Sequence, residues 1–197
     1  FDIDQLDAVR QMLLREPLTR RAVRVLFDPR VDLVESKDIP CNNWLQFLVV
    51  DGRLDLSVTA RSLDIMWGFS GVNSFTWSVA QELMAAWVGL PVGRQHWFVG
   101  SAHLYERHLD RATRILDSAP SDVPPHGWEC APYRGTWAAL DTDLATWFEV
   151  EAHLRGGEDV PCLAIANAID EPLLASLAVV VAGFWDIKNE RSTEARV

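Results

Sequence analysis

Several side chains in this sequence could do chemistry on a small anionic molecule. Cys41 follows Pro40 at the head of the apolar run Trp44 to Val50. A cysteine so placed is either a small buried filler or an exposed nucleophile, and a reactive thiolate needs positive charge beside it. Arg20 and Arg21 form an adjacent pair, and Arg61 precedes Ser62. An arginine pair also suits a solvated edge. Three guanidiniums with a serine hydroxyl would equally suit a phosphate, which accepts paired N–H bonds and a neutral donor. Asn73 is either a helix cap or a carboxamide facing a base edge, where it offers a donor and an acceptor side by side. His103 and Tyr105, two apart on an extended segment, point the same way. They could bind a sugar hydroxyl or form a satisfied core pair. No histidine stands at ligand spacing with a Cys or Glu, so no metal site is expected.

These residues need elements to position them. Asp4 to Glu16 carries Leu6, Val9, Leu13 and Leu14 at helical spacing, and Pro17 ends it. Arg21 to Phe27 reads as a strand with Val23 and Val25 on one face. Asn42 to Val50 and Leu54 to Ala60 read as a hairpin joined by Asp51-Gly52, with Leu56, Val58 and Ala60 on one face. Ser62 to Trp67 reads as a short helix. Val72 to Val88 reads as a long one, with Val72, Phe75, Val79, Leu83, Ala86 and Leu90 in helical register and Gly89 as terminator. Gln95 to Val99 reads as a strand and Leu104 to Leu116 as a helix. Pro120, Pro124 and Pro125 mark a loop. Leu140 to Leu154 and Pro172 to Ile187 read as helices, with Gly156-Gly157 between them. The order predicts an α+β fold, a sheet of mixed strands covered by a long buried helix, with a helical C-terminal tail.

Composition narrows the function. The 197 residues are 49 % apolar and 23 % charged, and 18 Lys+Arg against 28 Asp+Glu leave a net charge of −10. That balance argues against a general nucleic-acid or anionic-membrane binder. Cys41, Cys130 and Cys162 cannot all pair with one another and show no CxxC spacing, which favours a reducing, cytoplasmic setting. The longest apolar run, Leu173 to Trp185 broken by Ser176, is shorter than the roughly 20 residues of a membrane span and reads as a buried helix.

Taken in order, the segments resemble the thymidylate synthase family from about Asp4 to Asp117. Thr19-Arg20-Arg21 before a strand resembles the family's arginine pair. Pro40-Cys41, with Gln46-Phe47 after it and Asp51-Gly52 closing the strand, resembles the nucleophile segment. Arg61-Ser62, then Asp64 and Gly68, resembles the phosphate and folate segment. Asn73 opening a long helix resembles the base-reading asparagine, and Gly100, His103, Leu104, Tyr105 and His108 resemble the ribose segment.

The resemblance implies a thymidylate-synthase-like fold. Residues 1–118 would be the C-terminal portion of its catalytic domain, and 119–197 a divergent, mostly helical tail packed on the same domain. It implies one-carbon transfer from 5,10-methylenetetrahydrofolate to C5 of a pyrimidine nucleoside monophosphate, first of all dUMP to dTMP. Hydroxymethylation of dUMP, dCMP or CMP is the alternative on the same scaffold. A non-catalytic nucleotide-binding or dimerisation module is the reading from another class. Cys41 would attack C6 of the base, and Arg61 and Ser62 would hold the 5′-phosphate. Arg20 and Arg21 would reach the phosphate of the neighbouring subunit in a homodimer with shared sites. Asn73 would pair with the base, His103 and Tyr105 with the ribose, and Gln46 would support the nucleotide. Asp64 would face nucleotide and folate, and Gly68 the folate. The sequence departs from the family's pattern in four places. Asn42 stands where many members have His and others Asn, Ala60 stands where Gln precedes Arg-Ser, one extra residue separates Gly68 from Asn73, and the tail after Ser118 resembles no family motif, with a polar end from Asn189 to Val197. The family's general acid/base glutamate belongs upstream of Phe1, and the non-Met start leads us to expect the C-terminal portion of a longer protein.

Overall fold

The computed structural model describes residues 3–36, 38–118, 132–158 and 162–189. The chain divides into two compact units, residues 1–124 and 125–197.

In the first unit, helix α1 (Gln5–Arg15) starts where the Asp4 carboxylate accepts the N–H groups of Leu6 and Asp7. Strand β1 is Val23–Val25, shorter than expected, and a single helical turn, α2, spans Pro29–Asp32. Strands β2 (Asn42–Val50) and β3 (Arg53–Ala60) meet at Asp51-Gly52, whose φ angles of 49° and 73° are both left-handed. This is the two-residue turn whose twist matches an antiparallel pair, and glycine supplies the second left-handed position without a Cβ clash. Strand β4 (Leu63–Asp64) leads into a π-helix over Ile65–Val72, kinked at Gly71, and helix α3 (Asn73–Val88) follows. Strands β5 (Val92–Val99) and β6 (Ala102–His103), a 3₁₀ turn (Glu106–His108) and helix α4 (Leu109–Ser118) complete the unit.

Ser62 to Trp67, expected as a short helix, is a strand over Leu63–Asp64 before it turns helical at Ile65. Leu63 and Asp64 pair with Ala102 and His103 in a parallel ladder, so helical bonding starts only after the Asp64 cap. The helix expected from Leu104 likewise begins later, because His103 belongs to β6.

The main sheet has the order β1-β2-β3-β5 and is mixed. β1, β2 and β3 are antiparallel, and β5 lies parallel to β3 after the crossover through α3. One face carries Leu45, Phe47, Leu54, Leu56 and Val58, all fully buried beneath Val9 and Leu13 of α1 and Met84 and Ala85 of α3. Each such side chain contributes about 1.5–3 kcal/mol on burial. Trp77, Trp87 and Trp97 pack against this core, whereas Trp67 is 71 % exposed.

Helix α3 covers the sheet through a different stripe from the one expected. Gln81, Met84 and Ala85 are its buried residues, while Phe75 is 56 % exposed. Its apolar residues are spread round the helix, so its period does not choose a face. Inward-pointing Gln81 anchors it instead: its Nε2 donates to Leu54 O at 2.8 Å and Arg94 O at 3.1 Å.

The other sheet face carries Val23, Val25, Trp44 and Gln46, which line a shallow cavity of about 370 Å³. It also carries Asp55, which is buried in a bulge. Its Oδ1 accepts the Arg94 N–H at 2.8 Å, and its Oδ2 lies 2.9 Å from His96 Nε2. A Cβ on Gly93 would come within 2.1 Å of Asp55 Oδ1, so only glycine fits there.

In the second unit, a 3₁₀ turn (Trp137–Ala139) leads into α5 (Leu140–Arg155), and α6 (Cys162–Ala168) and α7 (Pro172–Lys188) follow. α6 carries no signal that sequence reading used. The Glu171 carboxylate joins two segments, accepting the N–H of Leu174 at 2.9 Å and of Arg134 at 2.8 Å. The apolar run in α7 is buried on one side only, through Leu173, Leu174, Ala178 and Ala182; Val180, Phe184 and Ile187 are exposed. Among the described residues no helix is long and apolar enough to cross a membrane. The proline loop, Cys130 and the polar end beyond Asn189 lie outside the described residues.

Candidate functional site

The segment before β2 and the segment after β3 are neighbours because these strands are antiparallel, with Asn42 opposite Ala60. Cys41 and Arg61 therefore meet across the sheet end. The Arg61 N–H donates to Cys41 O at 2.9 Å. Its guanidinium donates to Ile39 O at 2.7 Å and to Pro40 O at 3.1 Å, and Nη2 lies 3.7 Å from Cys41 Sγ. The thiol is exposed and free. The fork of guanidinium bonds to the main chain sets where that sulfur stands.

The β4–β6 ladder adds the next group. It sets Asp64 opposite His103. Leu63 donates its N–H to Ser101 O at 2.9 Å, and Gly100 donates its own to Ala60 O at 2.9 Å. Ser62 is half-buried between Arg61 and Leu63. His103 and Tyr105 lie together, ring centroids 4.9 Å apart at 82°, with the Arg107 guanidinium 4.3 Å from the Tyr105 centroid. They share a face as their spacing predicts.

The Asp64 carboxylate caps the π-helix, accepting from Met66 N at 3.1 Å and Trp67 N at 3.3 Å. Gly68 is buried against Leu63, and a Cβ there would stand 2.8 Å from Leu63 Cδ1 and 3.8 Å from Asn73 Oδ1. The Asn73 N–H bonds Gly68 O, and α3 begins with no side-chain cap, so the Asn73 carboxamide is not spent on capping. The extra residue between Gly68 and Asn73 is taken up in the wider π-turn, which keeps the two side by side.

Cys41, Arg61, Ser62, Asp64, Gly68, Asn73, His103 and Tyr105 thus belong to one connected end of the first unit. Arg20, Arg21 and Gln46 do not join them. Gln46 lies five residues along β2 from Cys41, about 17 Å at the rise of a strand. Its Nε2 donates to Arg20 O at 3.0 Å. Arg21 is exposed and pairs with Glu16 at 2.5 Å. Sequence reading missed the Asp55–His96 pair and Arg107; the place of Arg107 between Tyr105 and His108 was the available signal. Among the described residues no three His, Cys, Asp or Glu side chains converge as metal ligands.

An exposed cysteine under a guanidinium, at the same end of the unit as a carboxylate, an imidazole, a phenol and a carboxamide, is equipped to add sulfur to an electrophilic carbon. Comparison with known proteins points the same way. Residues 1–132 match the thymidylate synthase family model. A deoxyuridylate hydroxymethyltransferase of Bacillus phage SP01 is 41 % identical over 105 residues, covering 52 % of this chain and 27 % of that protein. One of Pseudomonas phage M6 is 33 % identical over 154 residues, 75 % of this chain and 43 % of the relative. A thymidylate synthase of Listeria monocytogenes is 33 % identical over 122 residues, 62 % of this chain and 38 % of the relative. The chain spans less than half the length of each. With about two thirds of its residues matched and the Cys41–Arg61 end in place, the chain belongs to the thymidylate synthase family.

Proposed function

We propose that this chain carries the nucleophile and much of the nucleotide site of an enzyme that transfers a one-carbon unit to C5 of dUMP. The observation that carries the reading is Cys41 held under Arg61 at the end of the sheet where Asp64, Asn73, His103 and Tyr105 also stand. The thiolate adds to C6 of the base, because the 5,6 double bond is a poor electrophile and C5 a poor nucleophile until sulfur is attached. C5 then takes the carbon and gives up its proton, and the thiolate leaves C6. Arg61 and Ser62 hold the 5′-phosphate, Asn73 the base edge, and His103 and Tyr105 the ribose. Gln46 acts away from that end, where its Nε2 holds the Arg20 carbonyl.

5,10-Methylenetetrahydrofolate supplies the carbon at the oxidation level of formaldehyde. The residues present fit it: Trp67 and Phe69 are exposed flat surfaces beside Asp64, whose oxygens keep lone pairs for a ring N–H. Gly68 leaves the approach to Asn73 open. Arg20 and Arg21 serve the phosphate of a second copy, which packs on the sheet face of Val23, Val25 and Trp44. Their distance from Cys41 along the chain supports that arrangement. Residues 1–118 form the catalytic portion and 119–197 an added helical tail, in a cytoplasmic enzyme whose partners are the nucleotide and the folate rather than nucleic acid or membrane.

Two products are open to this chemistry, dTMP by hydride transfer and 5-hydroxymethyl-dUMP by addition of water. The second is favoured by the phage SP01 relative, at 41 % identity against 33 % for the Listeria thymidylate synthase. The test is to incubate the protein with dUMP and the folate and weigh the nucleotide. A product heavier by CH₂ or by CH₂O, formed only with both substrates, supports the reading. Bound dUMP that is never substituted supports a non-catalytic module instead.

A further inference from the structure

Tyr105 would be a loose side chain if its neighbours did not hold it. It precedes the 3₁₀ turn with extended backbone, at φ −70° and ψ 139°, and its carbonyl accepts the His108 N–H at 2.8 Å. The backbone is therefore fixed. The side chain is 44 % exposed, and among the described residues its hydroxyl has no hydrogen-bond partner. A phenol with its donor and its acceptor both unspent suits a ligand hydroxyl, provided that the ring stays in one place.

Two groups hold the ring. His103 meets it edge to face. The Arg107 guanidinium lies over its face, 4.3 Å from the centroid, where the negative side of the ring quadrupole attracts a cation. Arg107 is itself tethered, because its Nε donates to His108 Nε2 at 3.2 Å. Glu106 and Asp110 stand near it in the chain, yet among the described residues no carboxylate pairs with Arg107, so its charge is left to act on the ring. The resemblance attaches no role to this residue, although Tyr105 and His108 on either side belong to the ribose segment.

We propose that Arg107 is a positioning residue of the nucleotide site: through the face of the Tyr105 ring it aims the phenol at the sugar 3′-hydroxyl, and so sets how strongly the site prefers a sugar that carries that hydroxyl. The inference rests on the nucleotide reading above, in which His103 and Tyr105 hold the ribose. Without the guanidinium the phenol samples several rotamers, and each binding event has to order it again. Arg107 takes no part in the steps at C5 and C6, so its effect falls on affinity and not on turnover.

The experiment is calorimetry on the full chain with dUMP and with 2′,3′-dideoxyuridine 5′-monophosphate, which lacks the 3′-hydroxyl, followed by KM and kcat for dUMP. The wild type is expected to bind dUMP about tenfold more tightly than the dideoxy nucleotide. Arg107→Met keeps the length and the apolar stem and removes the charge. It is expected to weaken dUMP about threefold, to leave the dideoxy nucleotide within about twofold of its wild-type affinity, and to raise KM at unchanged kcat. Arg107→Lys, which keeps a cation over the ring, recovers most of the lost dUMP affinity. In a Tyr105→Phe background Arg107→Met adds less than about twofold, because there is no phenol left to aim. Should Arg107→Met fail to fold, by circular dichroism, Arg107→Gln carries the test. The calorimetric comparison decides whether or not dUMP is turned over. A dUMP preference unmoved by Arg107→Met, an equal loss for both nucleotides, or a loss in Arg107→Lys as large as in Arg107→Met overturns the positioning role and leaves the nucleotide reading standing. A wild type that binds both nucleotides alike overturns the placing of Tyr105 on the sugar and this inference with it. A wild type that does not bind dUMP overturns the nucleotide reading as a whole.

Discussion

The two basic regions of the first unit are held in opposite ways. At the head of β2, Arg61 spends its guanidinium on the carbonyls of Ile39 and Pro40, which fixes the Cys41 segment from within the chain. At the β1 edge, Arg20 and Arg21 are exposed, and among the described residues Arg21 is tied to its near neighbours Glu16 and Thr19. A guanidinium bonded to main chain is preorganised and acts on what lies beside it. Exposed guanidiniums on flexible stems are free to serve a group brought from outside. The first region reads as a site's interior, the second as a contribution to someone else's.

The largest effect should come from the sulfur itself. Cys41→Ser should lower C5 substitution by at least about 10³-fold while dUMP binding, measured by calorimetry, stays near wild type. Next comes the fork that holds it. A lysine cannot reach Ile39 O and Pro40 O together, so Arg61→Lys should cost about 10²-fold in kcat/KM and slow alkylation of Cys41 by iodoacetamide. An unchanged alkylation rate would separate the bonds from the reactivity and break the contrast between the regions.

The outer pair sharpens the contrast in another way. Arg20→Ala/Arg21→Ala should raise KM for dUMP by about tenfold or more. Mixed with an excess of Cys41→Ser and assayed at dUMP below its raised KM, it should gain activity, since one copy would supply the cysteine and the other the arginines. No gain on mixing would assign both regions to a single copy.

The smallest effect concerns stability rather than chemistry. Burial by itself would push the Asp55 carboxyl up. The hydrogen bonds from His96 and from the Arg94 N–H, with the charge of both residues, outweigh it and hold the carboxyl below its ordinary value. The folded state therefore favours the carboxylate. This contribution is complete above the unfolded carboxyl's range and is lost as pH falls through the lower folded value. Asp55→Asn should cost about 1–3 kcal/mol near neutral pH and flatten the acid limb of the stability profile, read by urea unfolding.

Much of the connected site was legible in the sequence because its parts are local. Asp51-Gly52 fixes the hairpin register, and that register alone carries Cys41 to Arg61. Two-residue spacing on an extended segment gives the shared face of His103 and Tyr105. What was not legible depends on contacts far along the chain. Leu63 and Asp64 become a strand only because Ala102 and His103 come to pair with them. Which stripe of α3 turns inward is set by Gln81 reaching Leu54 and Arg94, a polar anchor invisible to a hydrophobic period. The Asp55–His96 pair spans 41 residues and needs the Gly93 bulge, which no local pattern announces.

The most direct test of the account is release of tritium from [5-³H]dUMP in the presence of 5,10-methylenetetrahydrofolate, by the wild type and by Cys41→Ser side by side. Release by the wild type and none by the variant is the predicted result, because C5 gives up its proton only after sulfur is on C6. Equal release by both proteins, or none by a wild type shown to bind dUMP, would contradict the role given to Cys41.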